Sequence, residues 1–226
     1  MTHPQWYARP DDAGIILRKT PRLTSWNKST DPDQVRLREY LEDTAELLTP
    51  VPDAPWTLSL NVGLPPGRDL LRTGDLDNYS FPLATHLRNE HLVSVWCTKR
   101  IADSSTAVLA AAREVTSPAR AFTVRTTASA QTRTYKEQIY AAAVNEPQLP
   151  DGPIHLQLAF VVGPRRNWIT LWKPTIDALC PLLGRTRPDL EWHPRDDRIT
   201  ELGLHVSLDP SFGHDVVISI AAKAPP

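Results

Sequence analysis

The sequence has only two cysteines, Cys97 and Cys180. Two cysteines cannot build a disulfide framework or, by themselves, a zinc site, so both read as small buried hydrophobes. The seven histidines show no spacing such as His-x3-His, and none is assigned a ligand role. Long apolar runs are missing as well. Nothing approaches the roughly 20 residues of a membrane span, and Met1 to Arg18 contains no signal-peptide core, so the expectation is a cytoplasmic protein with no membrane partner. Nor is there an excess of one charge. With 25 Lys plus Arg against 26 Asp plus Glu, the net charge of −1 argues against binding nucleic acid through bulk positive charge, and any polyanion contact must be local. The 22 prolines form no low-complexity block.

What is present is an ordinary globular composition, 41% hydrophobic over 226 residues, enough for one large domain or two small ones around a shared core. Element order along the chain is more informative than identity. Gly14 to Leu17 reads as a strand, and Asp31-Pro32 as a helix start, Asp being a favoured N-cap and Pro a favoured first helical residue. Apolar residues then recur at three and four through Leu48. Trp56 to Val62 alternates as a strand, about Asp77 to Leu87 is helical, and Leu92 to Cys97 is another strand. The same order returns: a strand at Ala121 to Val124, a helix from about Thr134 to Val144, a strand at Ile154 to Val162 and a helix at Leu171 to Leu183. Strands at Ile199 to Leu208 and Val216 to Ile220 follow.

This repetition predicts an α+β fold made of two tandem units, each a small sheet flanked by helices, paired within one chain as a pseudo-dimer. Residues 1–103 form the first unit and 121–226 the second. The Ala-rich stretch 104–120 is expected to be a linker or connecting helix.

Two acidic clusters are candidates for chemistry. Gly74-Asp75-Leu76-Asp77-Asn78 sets two carboxylates just before a helix, where their oxygens can converge on a hard divalent cation, or where either Asp simply caps the helix. Arg195-Asp196-Asp197-Arg198, before a strand, offers metal ligands or a solvated charged turn. Basic residues that form a phosphate-tracking stripe if the fold gathers them include Lys99, Arg100, Arg165, Arg166, Arg195 and Arg198. Trp168, Trp172 and Trp192 are candidates for base stacking or for the core.

The run Trp172-Lys173-Pro174-Thr175-Ile176-Asp177-Ala178-Leu179, followed by Asp196-Asp197-Arg198-Ile199, resembles the RusA family of Holliday junction resolvases. That family's pattern is an Asp-x-Asp-Asn-Leu-x-Lys helix start, an Asp-Ala-Leu one turn on, and an acidic pair opening the next strand. The resemblance implies magnesium-dependent phosphodiester cleavage of branched or duplex DNA by a two-fold dimer, here a monomer with internal pseudo-symmetry or a homodimer. The motif is split. In the first unit Asp75, Asp77 and Asn78 match, with Glu90 the counterpart of the strand-opening acid, but Phe81 and Thr85 replace the Lys and the second helix Asp. In the second unit Lys173, Asp177, Asp196 and Asp197 match, but Asn167, Ile169 and Thr170 replace Asp, Asp and Asn.

Three arrangements follow: one site surviving on Asp75, Asp77 and Glu90, a site completed across the units by Lys173 or Asp197, or two dead sites. Ile169 cannot bind magnesium, so the second site is inactive in every case. The competing reading is a non-catalytic relative that binds DNA or a protein partner.

Overall fold

The computed structural model describes residues 3–24, 28–187 and 189–225. Ten strands and five α-helices alternate along it. They are β1 (Trp6–Tyr7), β2 (Ile15–Ile16), α1 (Pro32–Leu47), β3 (Trp56–Leu64), α2 (Leu76–Leu87), β4 (Leu92–Ile101), β5 (Thr106–Ala111) and β6 (Glu114–Val115). Then come β7 (Phe122–Thr126), α3 (Arg133–Ala143), β8 (Ile154–Val162), α4 (Trp172–Asp177), α5 (Cys180–Leu183), β9 (Ile199–Leu208) and β10 (Val216–Lys223). The fold is α+β.

The expected helix starts and stops have identifiable causes. The Asp31 side chain accepts the Asp33 N–H at the start of α1, with Pro32 behind it. In α2, Pro82 brings no N–H to the carbonyl of Asn78, and that oxygen is satisfied instead by the backbone N–H and hydroxyl of Thr24. The helix expected over 171–183 is broken. A 3-10 turn over Trp168–Leu171 leads into α4, and α5 restarts around Pro181.

The connecting-helix expectation is corrected. The stretch 104–120 holds no helix: Thr106–Ala111 is β5, paired antiparallel with β3 over its whole length. Eight strands form one continuous sheet in the order β2-β5-β3-β4-β9-β8-β10-β7. β3 runs parallel to β4, and β8 parallel to β9. The central pair β4 and β9 is antiparallel, with Trp96 opposite Gly203. In both parallel pairs a register shift follows the first residue, after Trp56 opposite Leu92 and after Ile154 opposite Ile199.

The helices cover one face of this sheet. Tyr40, Leu83, Tyr135, Ile139, Trp172 and Ile176 share a single apolar cluster with Leu58, Leu60, Leu158, Phe160, Leu204 and Ile218. Burial of this cluster is the main favourable term for the fold. The other face is more polar, and β1, paired with β6, lies over its centre. There Trp6, Tyr7 and Trp96 ring His205, whose Nδ1 is 3.0 Å from the Ser94 hydroxyl. Gly203 is required at the centre: an added Cβ would lie 2.9 Å from the Trp96 ring. Cys97 and Cys180 are both free and buried. No helix among the described residues is long and apolar enough to cross a membrane.

Candidate metal centre

Because β9 runs antiparallel to β4, the end of β4 and the loop before β9 come together. The β3–α2–β4 crossover brings the start of α2 to the same end. Lys99 fixes the junction: its ammonium, almost fully buried, donates to the backbone oxygens of Thr73 and Gly74, each at 2.9 Å, and of Asp197 at 2.5 Å. Those carbonyls lack helical or sheet partners, and a buried cation satisfies all three at once. Burial pushes the Lys99 amine down from its ordinary value. Gly74 adopts φ 54°, and the Tyr79 ring packs so closely that a Cβ would sit 2.6 Å from it. This turn aims the next residues at the loop before β9.

Asp75 occupies the N-cap position of α2 but makes no capping bond. Its carboxylate instead accepts from the Asn78 amide at 3.0 Å and faces Lys173 at 3.7 Å. Asp77 lies in the first helical turn and is 3% exposed. Asp196 is buried in the 3-10 turn before β9. Ligand atoms of Asp75, Asp77 and Asp196 all lie within 4.8 Å of one another. Oxygens on octahedral magnesium are about 3.0 Å apart when adjacent and about 4.2 Å when opposite, so side-chain movement that draws the three carboxylates together is required to bring them onto one ion.

The second half of the chain supplies the counter-charge. Lys173 on α4 reaches Asp196 at 2.7 Å and Asp177, one turn on, at 3.3 Å. Lys136 on α3 holds the other oxygen of Asp177 at 2.7 Å. Burial works against the Lys173 ammonium, but Asp77, Asp196 and Asp177 outweigh it and hold the group charged. Asp77 is different. Among the described residues no hydrogen bond or ion pair reaches its carboxylate. Burial, opposed by Lys173 and reinforced by Asp196, Asp75 and Asp177, pushes its carboxyl up to about 7. Burial also raises Asp196, against the pull of Lys173. A buried acid with a raised carboxyl beside two others is a donor set suited to a hard divalent cation, whose charge would favour the ionised form.

Several sequence candidates lie elsewhere. Glu90 follows the C-terminal end of α2, about 15 Å of helix away from Asp77, exposed and 3.7 Å from His91. It takes no part in the cluster, because it precedes the start of β4 whereas the site lies at the end of that strand. Asp197 stands outside the triad and joins the site through its backbone oxygen, with burial and then Asp196 raising its carboxyl. Two candidate phosphate contacts are engaged within the protein. Lys99 is consumed by backbone carbonyls, and Arg198 is buried at 1% exposure, donating to the oxygens of Pro150, Gly152 and Leu183.

Arg195 pairs with Asp151 near the centre. Arg100 is exposed at the end of β4, whereas Arg165 and Arg166 follow β8 at the far end of the sheet. The structure therefore gathers no single stripe from these six. Trp168 and Trp172 are in the core, the latter fully buried, while Trp192 is half-buried against Tyr140 and Lys136. Sequence reading gave Lys136 no role at the acidic site and left Asp177 out of it. The i,i+4 spacing of Lys173 and Asp177 was the available signal for the second.

No family model matches the chain, and no curated protein matches it.

Proposed function

We propose that the chain is a tandem pair of RusA-like units acting as a magnesium-dependent, structure-selective endonuclease on branched DNA. The observation that carries this reading is the origin of the cluster: Asp75 and Asp77 come from the first half of the motif, and Lys173, Asp177 and Asp196 from the second. Each half lacks what the other retains. The repeated strand pairings and the register shift at the same position in both parallel pairs support a duplication. In this reading the chain works as a monomer in the cytoplasm, its two halves standing for the subunits of a dimer.

Asp75, Asp77 and Asp196 would hold the metal, which supplies Lewis acidity and lowers the pKa of a coordinated water. Lys173, already drawn to these carboxylates, neutralises a non-bridging oxygen of the scissile phosphate as charge develops on it. Lys136 holds the other oxygen of Asp177, so that acid is shared between the two ammonium groups. The tertiary contacts of Lys99 keep the two halves of the site in register.

The test is cleavage of a synthetic four-way junction beside linear duplex in the presence of magnesium, with Asp75→Asn and Asp77→Asn as controls. Junction cleavage lost in both variants supports the reading. Junction binding without cleavage makes the chain a DNA-recognising relative with no catalysis, and neither overturns the nucleic-acid reading altogether.

A further inference from the structure

We infer that the chain makes one incision per bound DNA structure, nicking one strand where a symmetric pair of sites would cut two. The inference rests on the duplication proposed above. Trp96 and Gly203 face each other at the middle of the β4–β9 pair. The register shifts equate Leu92 with Ile199, and these same shifts equate Trp96 with Gly203. A two-fold axis relating the halves therefore passes through that pair, and the acidic centre at one end of β4 has an equivalent position at the other. β4 spans ten residues, so the two positions lie about 30 Å apart.

The occupants of the second position can be named. Asp196 precedes Ile199 by three residues, as Asn89 precedes Leu92. Matching Pro174 with Pro82 sets Asn167 for Asp75, Ile169 for Asp77, Phe81 for Lys173 and Thr85 for Asp177. The structure brings Asn89 and Asn167 to one place. Asn89, Glu90, Asn167 and Trp168 line a cavity of about 390 Å³, with Phe81 edge-on to Trp172 beside Trp168. Among the described residues no group of three His, Cys, Asp or Glu ligands forms there. Ile169 is 1% exposed and apolar. Asn89 is spent on structure, accepting from the Trp56 indole at 2.8 Å and donating to the Pro52 oxygen at 3.0 Å. Glu90 points to solvent. Among the described residues the Asp75, Asp77 and Asp196 set is the single cluster of three metal-ligating groups.

One seat hydrolyses one phosphodiester. A water oxygen forms a bond to phosphorus, one ester P–O bond breaks, and the leaving sugar oxygen takes up a proton; no second strand is within reach of another seat. The experiment uses the whole chain on a supercoiled plasmid carrying an extruded cruciform, with magnesium, resolving supercoiled, nicked and linear forms over time. The expected result is loss of the supercoiled form to nicked circle with no linear form appearing, and loss of nicking in Asp75→Asn.

Linear plasmid arising together with the nicked form shows paired incision and overturns the inference while leaving the nuclease reading intact. Nicking that persists in Asp75→Asn places the cut at another seat and overturns it too. No incision of any kind overturns the nuclease reading, and this inference with it.

Discussion

The ammonium of Lys173 lies 2.7 Å from the carboxylate of Asp196, two residues that sit on opposite sides of a long loop. It is also 3.7 Å from Asp75, so a cation of the protein occupies the flank of the carboxylates that would hold a metal. Two like charges about 4 Å apart repel by about 4 kcal/mol at the effective dielectric of a partly exposed site. Lys173→Met is therefore expected to bind Mn²⁺ at least about tenfold more tightly, by calorimetric titration, while losing junction cleavage. Weaker Mn²⁺ binding would show instead that Lys173 holds the acids in place.

The two metal-ligand assignments separate cleanly. Asp196→Asn is expected to lower Mn²⁺ affinity by about tenfold or more, because a buried ligand loses its charge, whereas Glu90→Gln leaves affinity unchanged. Equal loss in both variants would return Glu90 to the site.

Asp77 sets a pH dependence of defined sign. Its carboxyl is pushed up to about 7 by burial, while in the unfolded chain it titrates near 3.9. Between these values the folded state holds a proton that the unfolded state has released, so stability falls as pH rises through this window. Asp77→Asn should raise the unfolding free energy in metal-free buffer by about 1–3 kcal/mol at pH 8 and by much less at pH 4. Denaturant melts at the two pH values check it, and an equal gain at both would show that Asp77 is already ionised at low pH.

His205 acts in the opposite direction. Burial lowers its imidazole to about 3, so between there and its unfolded value near 6.5 the unfolded chain binds the extra proton. Stability is lost as pH falls through that range, by about 2 kcal/mol at pH 5. His205→Gln should flatten this acid limb between pH 7 and 5 in urea melts, whatever its effect at neutral pH. An unchanged slope would mean that the ring is charged inside its aromatic enclosure.

At Gly203 the limit is space. An added methyl would stand 2.9 Å from the Trp96 ring and 3.0 Å from the Gln157 side chain. Gly203→Ala is expected to cost about 1–3 kcal/mol, with Trp96→Leu in the same chain recovering part of it. Additive losses would place the strain elsewhere.

Legibility in the sequence followed locality. The start of α1 was readable because Asp31 and Pro32 act within one turn, and the alternation of β3 and β8 was readable because one face of each packs on helices. β5 was missed because Thr106–Ala111 is rich in alanine, a helix former, and only its pairing with β3 makes it a strand. Asp75 and Asp77 could be read as a pair, but the acid that completes them enters from β9, well over a hundred residues later. Glu90 was nearer in sequence and at the wrong end of the helix. Lys99 and Arg198 were counted as surface charge, since nothing in a sequence reveals which backbone oxygens will need a buried donor.

The contacts of Lys99 join a strand end to two loops from different halves of the chain. Neither half alone contains the groups that make the centre. A chain divided between β6 and β7, with the pieces produced separately, should therefore bind Mn²⁺ only after the pieces reunite, which makes metal occupancy a direct signal of their reassembly.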